Sequence, residues 1–341
     1  MTPVSLKKSL RIFLSLTILI VLILWAFIHL PLFRPKSTSA YQNQSYIIFA
    51  GGSPDFPFSQ IIAQGANQAA EDLGVEIELV WSRWNQQQMV IDLKEAIDRR
   101  PDGIAIMGHP GELALTPLVR EAQRQGILIT SLNVDLPELE REFSAQGFGY
   151  VGQDVYGSGR TLAEAVIRVA QPQPGETILV LGSLSFPTRG QRSQGILDGL
   201  MAHELNVIYQ EGPVLRTSVA SEEEQARIIQ DLFHKYPRAR IFVDDVNLLA
   251  SAKAIEQIGI PSEQLFLAGF DMSPEVVPLL KSGRINLISD QQPFLQGYLS
   301  VVQLVLSRTW GFSGLRIDTG TGIVTPDVLD RLKPFILKGI R

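Results

Sequence analysis

The side chains of this chain that can do chemistry are acids, amides, arginines and aromatic rings, and they recur just beyond short apolar runs. Ser53-Pro54-Asp55-Phe56-Pro57-Phe58 follows the first such run, Trp81 and Trp84-Asn85 the second, Gly108-His109-Pro110 the third, and Asn133-Val134-Asp135 the fourth. Further on come Thr188-Arg189, Asp244-Asp245, Phe270-Asp271 and Asp290-Gln291-Gln292. A carboxylate accepts hydrogen bonds from two hydroxyls at once, and an amide both donates and accepts. Bonds to a charged group are the stronger ones, and flat rings cover apolar C–H faces. Together these groups suit a small polyhydroxylated ligand, a sugar or a polyol. Plainer roles compete. An acid or amide after a strand often caps the next helix, which applies to Asp55, Asp245 and Asp290, and Phe56, Phe58, Trp81 and Trp84 also suit core packing.

The same inventory argues against catalysis and against cofactors. The chain has no cysteine, so thiolate chemistry, disulfides and cysteine-based zinc sites are excluded. Of its four histidines, His29 lies in an apolar segment, His203 and His234 fall late in predicted helices, and His109 sits at a strand end without a Ser–His–Asp arrangement. His109 therefore reads as a turn or rim residue. Asp244 and Asp245 are adjacent, and in an extended strand neighbours face opposite ways, so they do not make a two-carboxylate hydrolase. Gly51-Gly52-Ser53 is not a dinucleotide-binding Gly-x-Gly-x-x-Gly. No catalytic residue, metal ligand or cofactor is assigned. A formal net charge of −5 argues against nucleic acid, whose phosphates need a basic face.

The elements that must position these residues follow from hydrophobic periodicity. Strands are predicted at 46–50, 75–81, 103–107 and 127–132, with helices at 59–73, 86–99 and 113–125 between them, and the run 147–151 continues the pattern. The second half repeats it. Helices are expected at 160–169, 192–203, 221–234, 249–257, 274–281 and 296–307, and strands at 177–182, 207–211, 240–243, 265–269 and 285–289. Strands alternating with helices imply parallel pairing and an α/β fold. Two α/β units of similar length result, and their boundary near Gly152–Asp154 is not a flexible linker. In open α/β sheets ligands bind beyond the carboxyl ends of strands, where the polar residues above lie.

At the N-terminus, Lys7, Lys8 and Arg11 precede an uncharged Leu/Ile-rich run at 12–33, long enough to span a bilayer core of about 30 Å. Residues 1–44 read as a retained signal anchor or a cleaved signal with a short linker, Thr38-Ser39-Ala40 offering a small-residue cleavage site. Either way the remainder is expected outside the cytoplasmic membrane.

From about Tyr46 to Thr325 the sequence resembles the ribose/galactose type of periplasmic binding proteins, the type I solute-binding proteins of sugar ABC importers. Phe56-Pro57-Phe58 with Gly65 resembles the aromatic pair that covers the sugar ring. Tyr150-Val151-Gly152-Gln153-Asp154 with Gly157 and Gly159 resembles the first crossover, and Arg189 and Arg192 before Gly195 the opening of a C-lobe helix. Gly269-Phe270-Asp271 is similar to the Gly-Phe-Asp whose aspartate binds hydroxyls. Gln291-Gln292-Pro293 with Gly297, and Asp318-Thr319-Gly320 before Ile323-Val324-Thr325-Pro326, resemble the other crossings. The resemblance implies two Rossmann-like lobes joined by a three-crossing hinge, one from 45–152 plus 292–320 and the other from 153–291 plus 321–341. It also implies a ligand set of Asp55, Phe56, Phe58, Trp84, Asn133, Asp135, Arg189, Asp245, Asp271 and Gln291.

Several positions depart from the ribose pattern. Phe56 stands where Asn often precedes the proline, and Asn133-Val134 where an Asp-Arg pair is usual, with Asp135 as a possible substitute acid. Asp245 stands where Asn is common, and the ligand arginine is displaced to Arg189 or Arg192. A site more acidic than a ribose site is expected, which leaves other sugars, polyols and amino-bearing ligands open. The resemblance implies a monomer that presents its ligand to an ABC permease. A membrane-tethered sensor acting on a histidine kinase or chemoreceptor is the alternative.

Overall fold

The computed structural model describes residue 41 and residues 43–186, 188–213 and 218–341, with backbone alone for 218–221. The apolar segment predicted at 12–33 lies outside the described residues. From Asn43 onward the chain forms one compact unit.

Its first sheet contains β1 (Ser45–Gly51), β2 (Glu76–Trp81), β3 (Gly103–Met107), β4 (Leu128–Asn133), β5 (Tyr150–Gly152) and a late strand, β11 (Arg316–Asp318). The order is β11-β5-β4-β3-β1-β2, parallel throughout. Every residue of β3 is buried, as expected of a strand covered by helices on both faces. Those helices are α1 (Pro57–Leu73), α2 (Gln86–Asp98), α3 (Glu112–Arg124) and the short α4 (Pro137–Phe143). Local chemistry sets their starts. Phe56 is extended ahead of Pro57 in the first turn of α1, and Asn85 caps α2 by accepting from the Gln88 N–H at 2.9 Å.

The second sheet contains β6 (Thr177–Gly182), β7 (Asn206–Glu211), β8 (Ile241–Asp244), β9 (Phe266–Phe270), β10 (Leu287–Asp290) and β12 (Gly322–Val324). The order is β12-β10-β9-β8-β6-β7. The predicted strands β6 to β10 pair in parallel as expected, and β12, a strand that periodicity did not show, runs antiparallel to β10. Around this sheet lie α5 (Val155–Ala170), α6 (Gly190–Met201), α7 (Ser218–Lys235), α8 (Leu248–Gln257) and α9 (Val276–Lys281). Alternate residues feed two cores. Leu179, Leu181, Phe242 and Leu267 join one cluster, and Ile178, Val180, Ile241, Val243 and Ala268 the other, which is the two-residue period of a strand buried on both faces.

Two late helices complete the chain, α10 (Pro293–Trp310) against the first sheet and α11 (Pro326–Ile336) near α9. A Cβ on Gly65 would fall 2.0 Å from the Phe294 carbonyl oxygen, and one on Gly297 would fall 2.0 Å from that of Ile62. Reciprocal glycines thus let α1 and α10 touch backbone to backbone. Neither α4 nor α11 was expected from periodicity. In α11, Leu329, Leu332 and Ile336 are buried at helical spacing, but Pro334 within the last turn obscures the pattern.

Among the described residues the chain passes between the sheets at three places: from β5 into α5, from β10 into α10, and from β11 to β12. Side chains knit these crossings together. The Thr319 N–H donates to the Gly152 carbonyl at 2.8 Å, and its hydroxyl to the Gln291 carbonyl at 2.8 Å. The Gln296 amide donates to the same Gln291 carbonyl at 2.9 Å, and Gln292 to the Thr319 carbonyl at 2.8 Å. Asp290, fully buried, accepts from the Gln292 N–H at 2.9 Å and pairs with Arg341 at 2.8 Å, so it caps and anchors the crossing instead of facing the cleft.

Candidate functional site

The carboxyl ends of the strands of both sheets meet across a cleft, and each sheet supplies one wall. The first wall is built of rings: Phe56, Phe58, Trp84 and His109, with Asn133 beside them. Trp84 is its centre. Its ring centroid lies 5.9 Å from Phe56 in an edge-on arrangement, 6.0 Å from Phe58 and 5.3 Å from His109. Gly51 and Gly52 are the floor beneath the indole, since a Cβ on Gly51 would sit 2.6 Å from a Trp84 ring carbon and one on Gly52 2.5 Å from Nε1. The pair thus serves ring packing, and the strand-end glycines have no need of a phosphate to explain them.

His109 lies in a turn, as expected, closed by the Gly111 N–H on the Gly108 carbonyl at 2.9 Å, but it is not a rim residue. It is buried, lines the cleft, and has no partner for Nδ1 among the described residues; Nε1 of Trp84 is in the same condition. Burial, aided by the guanidinium groups of Arg189 and Arg192, pulls the imidazole down to about 3, so His109 is neutral at pH 7. A neutral imidazole offers one donor and one acceptor.

The second wall is ionic. Arg189, Arg192, Asp245 and Asp271 line it with Ser183, Phe186, Pro213 and Val246. Asp245 is the hub. Its carboxylate accepts two bonds from Arg189, each 3.1 Å, and further bonds from Arg192 Nε and the Ser193 hydroxyl. Its backbone carbonyl accepts from Arg189 at 2.9 Å. Burial alone would raise the Asp245 carboxyl, but the two guanidiniums and these hydrogen bonds outweigh it and hold the group below its ordinary value. Burial and the neighbouring Arg189 lower Arg192 to about 10, against the attraction of Asp245 and Asp271. The Arg192 guanidinium also lies 3.7 Å from the centre of the Phe270 ring.

Adjacent Asp244 faces the other way. It accepts from the Asn247 N–H at 2.9 Å and the Gln225 amide at 2.9 Å, and from the Val246 N–H and the Ser251 hydroxyl. Burial raises it to about 6 despite these bonds. The two acids divide as strand alternation requires, one bracing the turn that leads into α8, whose cap is Asn247, and one facing the cleft.

A polar relay connects the walls through the hinge. Asn133 donates to the Gln296 side chain at 3.0 Å and, at 3.4 Å, to that of Gln291. Gln291 in turn donates to the carboxylate of Asp271. Burial raises the Asp271 carboxyl, while Arg192 and the Gln291 bond act in the opposite direction. Tyr150 supports this relay, its hydroxyl lying 3.0 Å from the Asn133 carbonyl. Trp84, Asn133 and Asp271 hold left-handed backbone, with φ of 57°, 66° and 77°. Such conformations are uncommon outside glycine and cluster where side chains must be aimed.

Eight of the ten residues expected to hold a ligand therefore line one cavity: Phe56, Phe58, Trp84, Asn133, Arg189, Asp245, Asp271 and Gln291. Two do not. Asp55 is exposed, in a turn closed by the Phe56 N–H on the Ser53 carbonyl at 3.0 Å. Asp135 is turned away by Arg316, at 2.6 Å, which also pairs with Glu140 at 2.9 Å. Arg192 and His109 join instead. The expected acid excess is also corrected: two arginines and two aspartates face the cleft.

A two-lobed α/β chain whose strand ends close on a polar, ring-lined cleft is a receptor architecture. The periplasmic binding protein domain family matches residues 47–306, and the chain belongs to that family, which places it outside the cytoplasm. It is similar to the xylose/arabinose-binding protein XylF of Sulfolobus acidocaldarius, with 24% identity over 262 residues, covering 73% of this chain and 62% of that protein. The chain thus spans about three fifths of that relative's length. An ABC transporter solute-binding protein from Burkholderia graminis, solved in complex with D-arabinose, superposes with a TM-score of 0.73 at 24% identity, covering 85% of this chain and 97% of that one. A carbohydrate transporter from Acidothermus cellulolyticus, solved with myo-inositol, gives a TM-score of 0.73 at 21% identity, covering 87% and 99%.

Proposed function

We propose that this protein captures a monosaccharide or a polyol of similar size in the cleft and presents it to an ABC permease, acting as a binding protein and not as an enzyme. The observation that carries this reading is the pairing of the two walls. Rings on one side suit the C–H faces of a sugar, and on the other Asp271, Gln291 and the donors of Arg189 and Arg192 not taken by Asp245 suit its hydroxyls. The cavity measures about 90 Å³, room for a molecule the size of several waters, which favours one sugar ring over an oligosaccharide. Equal numbers of arginines and aspartates disfavour a ligand that is cationic by virtue of an amino group.

The lobes in this reading are residues 45–152 with 292–320 and residues 153–291 with 321–341, a division supported by the membership of the two sheets. The protein works as a monomer, its lobes rotating about the three crossings. Residues 12–33 are retained as a membrane anchor, a reading that rests on the length of that apolar run. Among the described residues no helix is long and apolar enough to cross a membrane.

A thermal-shift screen against pentoses, hexoses, their deoxy forms and polyols tests the ligand class. A ligand present at a hundred times its Kd stabilises by about 2.7 kcal/mol, a visible rise in Tm. No shift with any sugar or polyol overturns the proposal.

A further inference from the structure

The end of the first lobe away from the cleft carries an exposed aromatic patch. α10 ends at Trp310, 62% exposed, and the chain continues through Gly311 to Phe312, 57% exposed; Leu315, just ahead of β11, is 53% exposed. A Trp and a Phe two residues apart thus both stand largely in solvent. The patch lies at the amino ends of the strands. The Gln44 side chain, one residue before β1, donates to the Thr309 hydroxyl at 3.2 Å. The Ser45 N–H donates to Asp102 at 2.9 Å, and Asp102 pairs with Arg308 at 3.0 Å. The chain therefore enters the lobe beside Trp310.

That entry point decides what can cover the patch. Residues 34–43 separate the end of the apolar run at Phe33 from Gln44, and they reach at most about 35 Å when extended. An anchored chain holds Thr309 and Trp310 within that distance of the bilayer, while the cleft lies at the opposite ends of the strands. Trp is enriched at the membrane–water interface, where an apolar ring with one polar edge is best solvated. Exposed apolar patches on a soluble lobe mark interaction surfaces.

We propose that Trp310 and Phe312 insert into the headgroup region of the outer face of the membrane, so that the receptor rests on its first lobe with the cleft open to solution. This inference depends on the retained-anchor reading above. Its contact would orient a tethered receptor without engaging the binding site.

The absence of cysteine from the sequence makes the test clean. The full chain carrying Phe312→Cys is labelled with an environment-sensitive fluorophore and reconstituted into phosphatidylcholine vesicles. A parallel chain carries Glu263→Cys, an exposed position on the second lobe. Quenching is read with a lipid-borne nitroxide and with aqueous iodide. The expected result is loss of the 312 signal to the nitroxide and protection from iodide, with the reverse at 263. If the chain sediments with the vesicles but the 312 label is quenched by iodide alone, the lipid contact is overturned and the anchor stands. If the label is shielded from both quenchers and the chain cross-links to a second copy, a dimer covers the patch and the proposal fails. If the chain stays in the supernatant, the anchor reading falls and this proposal with it.

Discussion

The two walls of the cleft solve the same problem in different ways. In the first lobe the wall is made of rings that pack on one another over Gly51 and Gly52, and its one pair of orphaned polar atoms belongs to rings as well. In the second, the wall is a set of charges that satisfy one another around Asp245. The ring wall is held by shape, so its side chains need no partner to stay in place. The ionic wall is held by compensation at its hub, so Asp245 cannot be removed without leaving guanidinium charges buried and unpaired. Hence the second wall should be far less tolerant of substitution, although both line the same cavity.

The harshest way to break that comparison is Asp245→Ala. It strands Arg189 and Arg192, of which Arg192 is 3% exposed in its side chain. Breaking one partner of a buried pair costs about 3–5 kcal/mol, a large share of the stability of a domain. Chemical denaturation should show a fall in the unfolding midpoint of the second lobe. A variant as stable as the parent would mean that the arginines find other partners, and the hub assignment would be lost.

The sequence made the strands, and therefore the strand-end residues, legible, because parallel strands covered on both faces are short apolar runs. Phe56 and Phe58 were legible through Pro57, which starts α1 between them. Arg192 follows Arg189 by three residues, the spacing that shares a helix face, so the choice between them could have been read as both. Asp135 could not be read, because its partner Arg316 lies 181 residues further on. Nor could the burial of His109, which depends on a Trp84 aimed by left-handed backbone. The acid excess failed for a related reason. Side chains were assigned to the cleft by position, and charge balance appears only once it is known which of them turn inward.

Within the ionic wall, Asp271→Ala sharpens the comparison, because this acid is bound by a neutral amide and not by a double ion pair. Its removal leaves no guanidinium stranded, so the fold should persist. The ligand loses a charged acceptor, each bond to which contributes about 1.5–3 kcal/mol. Two such bonds are enough to take a micromolar site, near −8 kcal/mol, beyond detection by calorimetry. Unchanged affinity would remove Asp271 from the binding set.

The smallest effect is expected on the ring wall. Phe58 is 7% exposed and packs against Trp84 at 6.0 Å, and Phe58→Ala removes a ring without uncovering a charge. If the ring stacks on the ligand, binding should weaken by about 1–3 kcal/mol, a loss of roughly tenfold to a hundredfold in Kd by calorimetry. Phe58→Leu restores apolar area but not a flat face. Recovery with Leu would mean that Phe58 contributes burial alone. Recovery only with Tyr or Trp would assign it the stacking role, and would make the shape of the ring wall, as distinct from its hydrophobicity, the part that reads the ligand.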